Sequence, residues 1–340
     1  MSPLPPRANP DLLGHAATEA MLAEAIRAGR LHHAWLITGP EGIGKATLAF
    51  RFARRLLAGG DPGDDLALPA SHPIFRRVAA SSHADLLTVE RTLNERGKLR
   101  SEIVIDDVRK VGDFLRRTPA EGGWRVVVLD GAEDLNRNAA NALLKVLEEP
   151  PPRAILLLVC SAAGRLMPTI RSRCRRLPLG PLPEAVVRDL LGRYRPELSG
   201  EDAARLAAIA EGSIGRALSL AQGGGVSQAG LVDDILGNLE QLDVMRAHAV
   251  ADALGRDEDA FSTFMDLLTA GLAAAVRDAA RGRADPDQAK LLGSRPLAAW
   301  VDVWHALKHL QTETEDAYLD KRQAVVAGLG MLASGVVKMS

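Results

Sequence analysis

The sequence predicts an α/β domain with a parallel sheet, followed by a region that consists almost entirely of helices. Three short apolar runs, at residues 32–39, 124–130 and 153–162, alternate with segments of helical periodicity. Strands that are apolar without interruption are typical of parallel sheets covered by helices on both faces. From Pro183 onward nearly every segment has helical periodicity. The predicted fold is therefore an α/β core, a small helical lid and an all-α C-terminal domain.

The elements of the predicted core follow one another in a regular order. A helix over residues 11–29 ends at Gly29, and the helix that follows the first strand covers residues 45–59. Residues 59–84 are rich in Gly, Pro, Asp and Ser, which predicts a loop or an insertion. The remaining predictions are strand pieces at 85–91 and 102–107, helices at 108–123 and 136–152, and a short helix leading into an extended piece at 167–182.

Composition and charge exclude several classes of protein. The 340 residues have 47% hydrophobic and 25% charged residues, which is typical of soluble globular proteins of two or three domains. A net charge of −1 argues against a strongly basic nucleic-acid binder. The two cysteines, Cys160 and Cys174, cannot form a disulfide framework and indicate a cytoplasmic protein. The longest apolar run, residues 154–160, is far shorter than the ~20 residues of a membrane span, and we expect no signal peptide.

A candidate phosphate loop lies between the first predicted strand and the helix after it. Residues 39–46 read GPEGIGKA, which matches GxxxxGK without the Ser or Thr that usually follows. Glycines at 39, 42 and 44 let successive N–H groups face an anion, and Lys45 extends toward the outer phosphates. We therefore predict that Gly39, Gly42, Gly44 and Lys45 bind nucleotide. The alternative is a glycine-rich turn that holds no ligand.

Two parts of an ATP-hydrolysing site are missing. Ala46 has no hydroxyl for Mg²⁺, and Thr47 lies ~100° further round the helix. Asp130 ends a buried strand where a Mg²⁺ carboxylate belongs, but Gly131 takes the place of the glutamate that polarises water in many ATPases. We do not expect Glu133 to reach that point, and the loss of a general base lowers rates by about 10²–10⁴. The sequence predicts an ATPase-like fold without turnover of its own.

Several segments together resemble one family. They are LHHAWLITGPEGIGKATLA at 31–49, NALLKVLEEPP at 141–151, PTIRSRCRRL at 168–177, EGSIGRALSL at 211–220 and LDKRQ at 319–323. On these motifs the whole chain resembles the clamp-loader branch of the AAA+ proteins. Many NTPases share the phosphate loop, whereas SRC behind LLKxLEEPP is much more specific. The resemblance implies a RecA-like AAA+ core at 1–180, a helical lid at 181–222 and a helical collar for oligomerisation at 223–340.

The resemblance also implies roles for individual residues. Arg173, in the SRC motif, matches the arginine finger that is presented in trans to ATP on a neighbouring gamma/tau subunit. Its planar, permanently charged guanidinium suits charge that develops on a phosphate. Ser161 matches the polar sensor and Arg216 the second sensor arginine, both of an ATP site that is vestigial here. A run of arginines is more often a solvated face, so Arg171, Arg175 and Arg176 are expected to be structural or subunit-facing.

The partners that the resemblance implies are those of a replication machine. We expect a hetero-oligomer with the gamma/tau and delta subunits of DNA polymerase III, which loads the sliding clamp on primed DNA. The chain would be a stator without polymerase or ATPase turnover, touching the clamp indirectly and the DNA weakly. The alternatives are an active gamma/tau-like ATPase and a module that binds ATP without hydrolysis. Many family members have a four-Cys zinc module near residues 59–85, but no cysteine lies there, so we expect no zinc.

Overall fold

A parallel sheet forms the centre of the N-terminal part of the chain. The computed structural model describes residues 4–63, 65–93, 97–222, 224–254, 260–284, 286–293 and 295–333. Within these ranges the strands are β1 Ala34–Thr38, β2 Leu86–Val89, β3 Arg125–Asp130, β4 Ala154–Cys160 and β5 Arg175–Pro178. Their order in the sheet is β2-β3-β4-β1-β5, and all neighbours are parallel. The three apolar runs are therefore the three inner strands, and the predicted α/β core is confirmed.

Helices cover both faces of this sheet. The helices of this part of the chain are α1 Ala16–Arg27, α2 Lys45–Ala58, α3 Pro73–Ala79, α4 Ile105–Arg116, α5 Arg137–Glu148, α6 Pro168–Arg171 and the first residues of α7 Glu184–Tyr194. Along β1 the side chains alternate between the faces. Trp35 packs edge-to-face on Phe52 of α2, at 5.9 Å between ring centres. Leu36 belongs instead to the cluster that holds Leu143 of α5. Burial on both faces is why these strands contain few polar residues.

Two of the predicted elements are wrong. Helix α3 lies inside the stretch predicted as a loop or insertion, because Ile74, Phe75 and Val78 are buried there. The segment 102–107 is not a strand. Only Ile103 forms a bridge, with Leu135, and α4 begins at Ile105. Two acidic residues in the first turn of α4 stabilise the helix N-terminus and favour the helix over a longer strand.

The chain divides into two compact units. One comprises Met1–Leu190 with Glu211–Arg216, and the other Leu191–Ala210 with Ala217–Ser340. Helices wholly or partly in the second unit are α7, α8 Gly200–Ile209, α9 Ile214–Gln222, α10 Gly225–Gly237, α11 Val244–Leu254, α12 Ala260–Ala280, α13 Pro286–Leu292, α14 Leu297–Asp316 and α15 Lys321–Ala333. Residues 223, 255–259, 285, 294 and 334–340 of the predicted collar lie outside the described residues. The domain boundaries at 180 and 222 stay a prediction.

Candidate functional site

The phosphate loop connects β1 to α2 and ends in an open helix N-terminus. Gly44 is the N-cap residue of α2, with a φ of 101°, and it has no side chain that could cap the helix. The first helical hydrogen bond that closes on it is donated by the Leu48 amide to the Gly44 carbonyl, at 2.9 Å. The backbone amides of the first turn of α2 have no acceptor within the helix. Together with the helix dipole they form a binding site for an anion.

A buried histidine, His15, hydrogen-bonds to the phosphate loop. The Nε2 atom of His15 lies 2.8 Å from the carbonyl oxygen of Ile43 and hydrogen-bonds to it. His15 precedes α1, is 6% exposed and lies close to Gly44. The hydrogen bond holds the loop at Ile43, so His15 stabilises the conformation of the phosphate loop.

Lys45 is buried at the start of α2. Its Nζ atom donates a hydrogen bond to the carbonyl oxygen of Pro40 at 2.5 Å, within the same loop. Burial lowers the pKa of Lys45, and the carboxylates of Glu133, Glu41 and Asp130 oppose that shift. The ammonium group therefore already has an acidic environment and a carbonyl partner supplied by its own chain.

The end of β3 has the carboxylate that the sequence predicts, but the chain leaves the strand in an unusual conformation. Burial raises the pKa of Asp130, with a further contribution from Glu90, while Lys45 lowers it. Gly131 follows with a φ of 81° and leads into a 3-10 turn, Ala132–Asp134. A glutamate at this position would be strained, because side-chain-bearing residues rarely adopt left-handed backbone angles. The left-handed backbone conformation at position 131 thus favours glycine over the usual glutamate.

Glu133 has a structural role that sequence reasoning missed. Its Oε1 atom accepts hydrogen bonds from the amides of Ser161 at 2.7 Å and Ala162 at 3.2 Å. Its Oε2 atom is buried and has no hydrogen-bond partner within the described part of the chain. The carboxylate therefore ties the turn after β3 to the end of β4. Burial and the charge of Glu133 raise the pKa of the Cys160 thiol to about 12.

The two predicted sensor residues, Ser161 and Arg216, have different hydrogen-bond partners. Ser161 lies at the end of β4, where its amide is bound to Glu133. Arg216 follows Ser213, whose hydroxyl donates to the carbonyl of Glu41 at 2.8 Å. The guanidinium of Arg216 donates to Glu211 at 3.3 Å, within the same short segment. The second sensor segment is therefore attached to the phosphate loop through Ser213.

Arg173 lies on the surface at the end of α6. Its Nη1 atom donates to the carbonyl of Thr169 at 3.0 Å, and its Nη2 atom lies 2.7 Å from Oε1 of Glu148. The side chain is 37% exposed. These two partners belong to α6 and α5, and neither Lys45 nor Asp130 is among the polar contacts of Arg173 in the described part of the chain.

The neighbouring arginines have contacts within the chain. Arg171 donates to the carbonyl of Ala163 at 3.1 Å. The guanidinium carbon of Arg175 lies 4.8 Å from the ring centre of the buried Trp35. These contacts support the structural interpretation of Arg171 and Arg175. Arg173 differs from both because it forms an ion pair, with Glu148 of α5.

Neither a metal cluster nor a membrane-spanning helix is found in the described residues. No group of three or more His, Cys, Asp or Glu side chains could hold a metal ion there. The histidines of the segment at 59–85 serve local turns, since Nδ1 of His72 accepts from the Ile74 amide and Nδ1 of His83 from the Asp85 amide. No described helix is long and apolar enough to cross a bilayer.

Known proteins resemble this chain over its N-terminal half and beyond. Residues 14–183, half of the chain, match the family described as DNA polymerase III, delta subunit. The chain is 39% identical to the DNA polymerase III subunit delta' of Pseudomonas aeruginosa over 187 residues, which span 53% of this chain and about half, 53%, of that relative. It is 32% identical to the DNA polymerase III subunit tau of Escherichia coli over 247 residues, or 69% of this chain and 36% of tau.

A solved structure of a DNA polymerase III gamma subunit-related protein from Thermotoga maritima aligns with a TM-score of 0.47 at 18% identity. The alignment covers 92% of this chain and 98% of that protein. The sequence match to the family, in contrast, includes the phosphate loop, Asp130 and the SRC motif. On that match the chain belongs to the DNA polymerase III delta subunit family, in the clamp-loader branch of the AAA+ proteins.

Proposed function

We propose that this chain is a clamp-loader subunit that hydrolyses no ATP itself and supplies Arg173 to ATP bound on a neighbouring gamma/tau subunit. The observation that carries the proposal is the contrast between two places in the fold. The local site lacks a metal-binding hydroxyl and a general base, whereas Arg173 lies partly exposed at the surface. Relatives named delta' and tau support an assembly of this kind.

The local site fits phosphate better than it fits the metal that hydrolysis needs. The amides at the start of α2 and the ammonium of Lys45 suit an anion. Ala46 offers no oxygen, and Thr47 is buried at 8% exposure. Bound ATP would supply a triphosphate there, and Lys45 and the loop amides would hold and orient it. Without a metal ligand at 46 the site would remain a binding site, which is the alternative of a non-hydrolysing interaction module.

The absence of a general base has a structural reason. Glu133 is the glutamate nearest in sequence to Gly131, the position of the missing glutamate. Its Oε1 atom accepts two backbone hydrogen bonds at the end of β4. Those two bonds tie the carboxylate to the backbone after β4, so it is not free to orient an attacking water. Glu133 thus stabilises the carboxyl ends of β3 and β4. The alternative of an active gamma/tau-like ATPase would therefore have no general base at this position.

Arg173 would act on another subunit through its positive charge and its N–H donors. A guanidinium is charged at any physiological pH and offers five N–H donors in one plane. An arginine finger of this type changes phosphoryl-transfer rates by about 10³–10⁵. In this proposal the partners are the gamma/tau and delta subunits, while the clamp and primed DNA are reached through the assembly.

Steady-state ATP turnover by the purified chain with Mg²⁺ is the first test. We expect no turnover, and a rate near ~1 s⁻¹, within the ordinary range of enzymes, would establish the active alternative instead. Equilibrium dialysis with labelled ATP then separates a binding module from a site that binds nothing. In the assembled complex Lys45→Ala should leave clamp loading nearly unchanged, and a large loss would show that this site is needed.

The second test addresses Arg173 in the complex with gamma/tau and delta. We expect Arg173→Ala to leave folding and assembly intact and to lower DNA-stimulated ATP hydrolysis and clamp loading by about tenfold or more. Arg176→Ala is the matched control, because Arg176 is an exposed arginine of the same run, on β5. Unchanged loading with Arg173→Ala would refute the finger assignment.

A further inference from the structure

The side chain of Arg173 is held by two groups of its own chain. The carbonyl oxygen of Thr169 accepts from Nη1 of Arg173 at 3.0 Å and from the hydroxyl of Ser172 at 3.1 Å. Glu148, the last residue of α5, lies 2.7 Å from Nη2 through its Oε1 atom. The guanidinium is therefore fixed at one edge by a helix carbonyl and a carboxylate.

Both ends of this ion pair are anchored in one hydrophobic core. Cys174, which directly follows Arg173, is 9% exposed, and Leu147, which directly precedes Glu148, is 2% exposed. Both belong to the same cluster, together with Ile170 of α6. The backbone segments that carry Arg173 and Glu148 are thus held at a fixed separation by the close packing of their buried neighbours.

The pairing leaves part of the guanidinium available. Of its five N–H groups, one on Nη1 donates to Thr169, and Nη2 lies in the ion pair with Glu148. The N–H group on Nε has no hydrogen-bond partner among the described residues. A triphosphate that approached this side would meet a donor edge already held in place. Preorganisation of this kind is what electrostatic stabilisation requires.

The strength of the Arg173–Glu148 ion pair depends on how far water has access to it. In the isolated chain Arg173 and Glu148 are 37% and 49% exposed. A pair exposed to this extent adds only a small increment to stability, because water screens it. When a subunit interface excludes water the same charges interact more strongly. Glu148 therefore matters for the assembled site far more than for the fold of this chain.

We propose that Glu148 is a positioning residue that holds the guanidinium of Arg173 in the orientation needed at a neighbouring subunit's triphosphate. The proposal rests on the proposed function, because it assigns Glu148 a role only through Arg173. Its neighbour Glu149 provides a comparison, since it is exposed and has no side-chain polar contact within the described ranges. The two glutamates differ by one position, and only Glu148 pairs with the arginine.

The experiment uses the full complex assembled with gamma/tau, delta and variants of this chain. With Glu148→Gln we expect kcat for DNA-stimulated ATP hydrolysis to fall by about three- to tenfold, while KM for ATP and assembly stay unchanged. Glu148→Asp should recover part of the loss, and Glu149→Gln should behave like the unmodified chain. In an Arg173→Ala background, Glu148→Gln should have no further effect, because its route of action is already removed.

The outcomes separate this inference from the function on which it rests. If Arg173→Ala leaves hydrolysis unchanged, the proposed function fails. If Arg173→Ala impairs hydrolysis but Glu148→Gln matches Glu149→Gln, the function stands and the positioning role is refuted. An equal loss from Glu148→Gln with and without Arg173, or a rate above that of the unmodified chain, would also overturn the positioning role.

Discussion

The amide of Gly215 donates a hydrogen bond to the carbonyl oxygen of Gly42 at 2.9 Å, so the phosphate loop and the start of α9 meet backbone to backbone. The hydroxyl of Ser213 adds a second bond, to Glu41, at 2.8 Å. Neither Gly42 nor Gly215 has a side chain that would keep the two backbones apart. The loop therefore anchors the segment that carries Arg216.

A methyl group at Gly42 should break this contact. A Cβ there would lie 2.9 Å from the Cα of Gly215, and Gly42 has a φ of 72°. Gly29→Ala is the matched control, because Gly29 has a φ of 62° but nothing within 4 Å. Both variants carry the left-handed strain of ~1–2 kcal/mol, and Gly42→Ala should cost about 1–3 kcal/mol more through overpacking. Urea unfolding followed by circular dichroism gives the two midpoints. Equal midpoints would mean that the loop and residues 213–215 separate in solution.

Asp85 should be one of the most sensitive charged positions of the core. It is 1% exposed and accepts from the amides of Ala120 at 2.8 Å and Glu121 at 3.1 Å, with Nη2 of Arg125 at 3.5 Å. Asp85→Asn leaves the buried Arg125 without its counter-ion, and we expect a loss of about 3–5 kcal/mol in the free energy of unfolding. Asp106→Asn, at an exposed ion pair in the first turn of α4, should change stability by less than about 1 kcal/mol. Similar thermal midpoints for both variants would contradict the assignment.

The parts of the fold that the sequence predicts are those with a local signal. Three inner strands follow from continuous apolar runs, and the phosphate loop follows from glycine spacing between a strand and a helix. Helix α3 has no such signal, because it has only seven residues and its stability comes from burial of Ile74 and Phe75. The strand expected at 102–107 is wrong because an apolar signal was present but was misinterpreted. Val104 and Ile105 form the start of α4 instead.

The site divides in the same way. Lys45 and Asp130 are marked by motifs, and the structure places both where the motifs predict. The roles of Glu133 and Glu148 depend on partners far along the chain. Glu133 binds the amide of Ser161, 28 residues away, and nothing in the spacing indicates that pairing. Such contacts are set by the neighbouring strand or helix, so single-sequence patterns do not contain them.

Stability should fall in mild acid because of His83. Burial lowers the pKa of His83, as does Arg77, while Glu121 and Asp85 oppose the shift. The unfolded chain then binds a proton below about pH 6.5 that the folded chain does not, so stability is retained above that pH and lost as pH falls below it. This one group contributes at most about 1.4 kcal/mol per pH unit.

The comparison with His83→Asn isolates that contribution. Asparagine keeps an acceptor for the Asp85 amide, which Nδ1 of His83 binds at 3.1 Å, and it does not titrate. Unfolding free energies measured between pH 5 and pH 8 should decline less steeply for the variant on the acid side. Parallel pH profiles for the two proteins would show that His83 keeps its ordinary pKa in the folded chain.

Neither cysteine should react while the chain is folded. Cys160 and Cys174 are both buried, and burial raises the pKa of each thiol to about 12. Because the thiolate is the reactive form, a fraction of only ~10⁻⁴ would be reactive at pH 8, even with access. We expect no modification by a chromogenic disulfide reagent within minutes in buffer and modification of both thiols in guanidinium. Ser101→Cys adds an exposed thiol to the same chain as a positive control. Native labelling of the unmodified chain as fast as that added thiol would show that the end of β4 or the SRC motif opens to solvent, which the packing of both cysteines against Ile170 and Leu143 opposes.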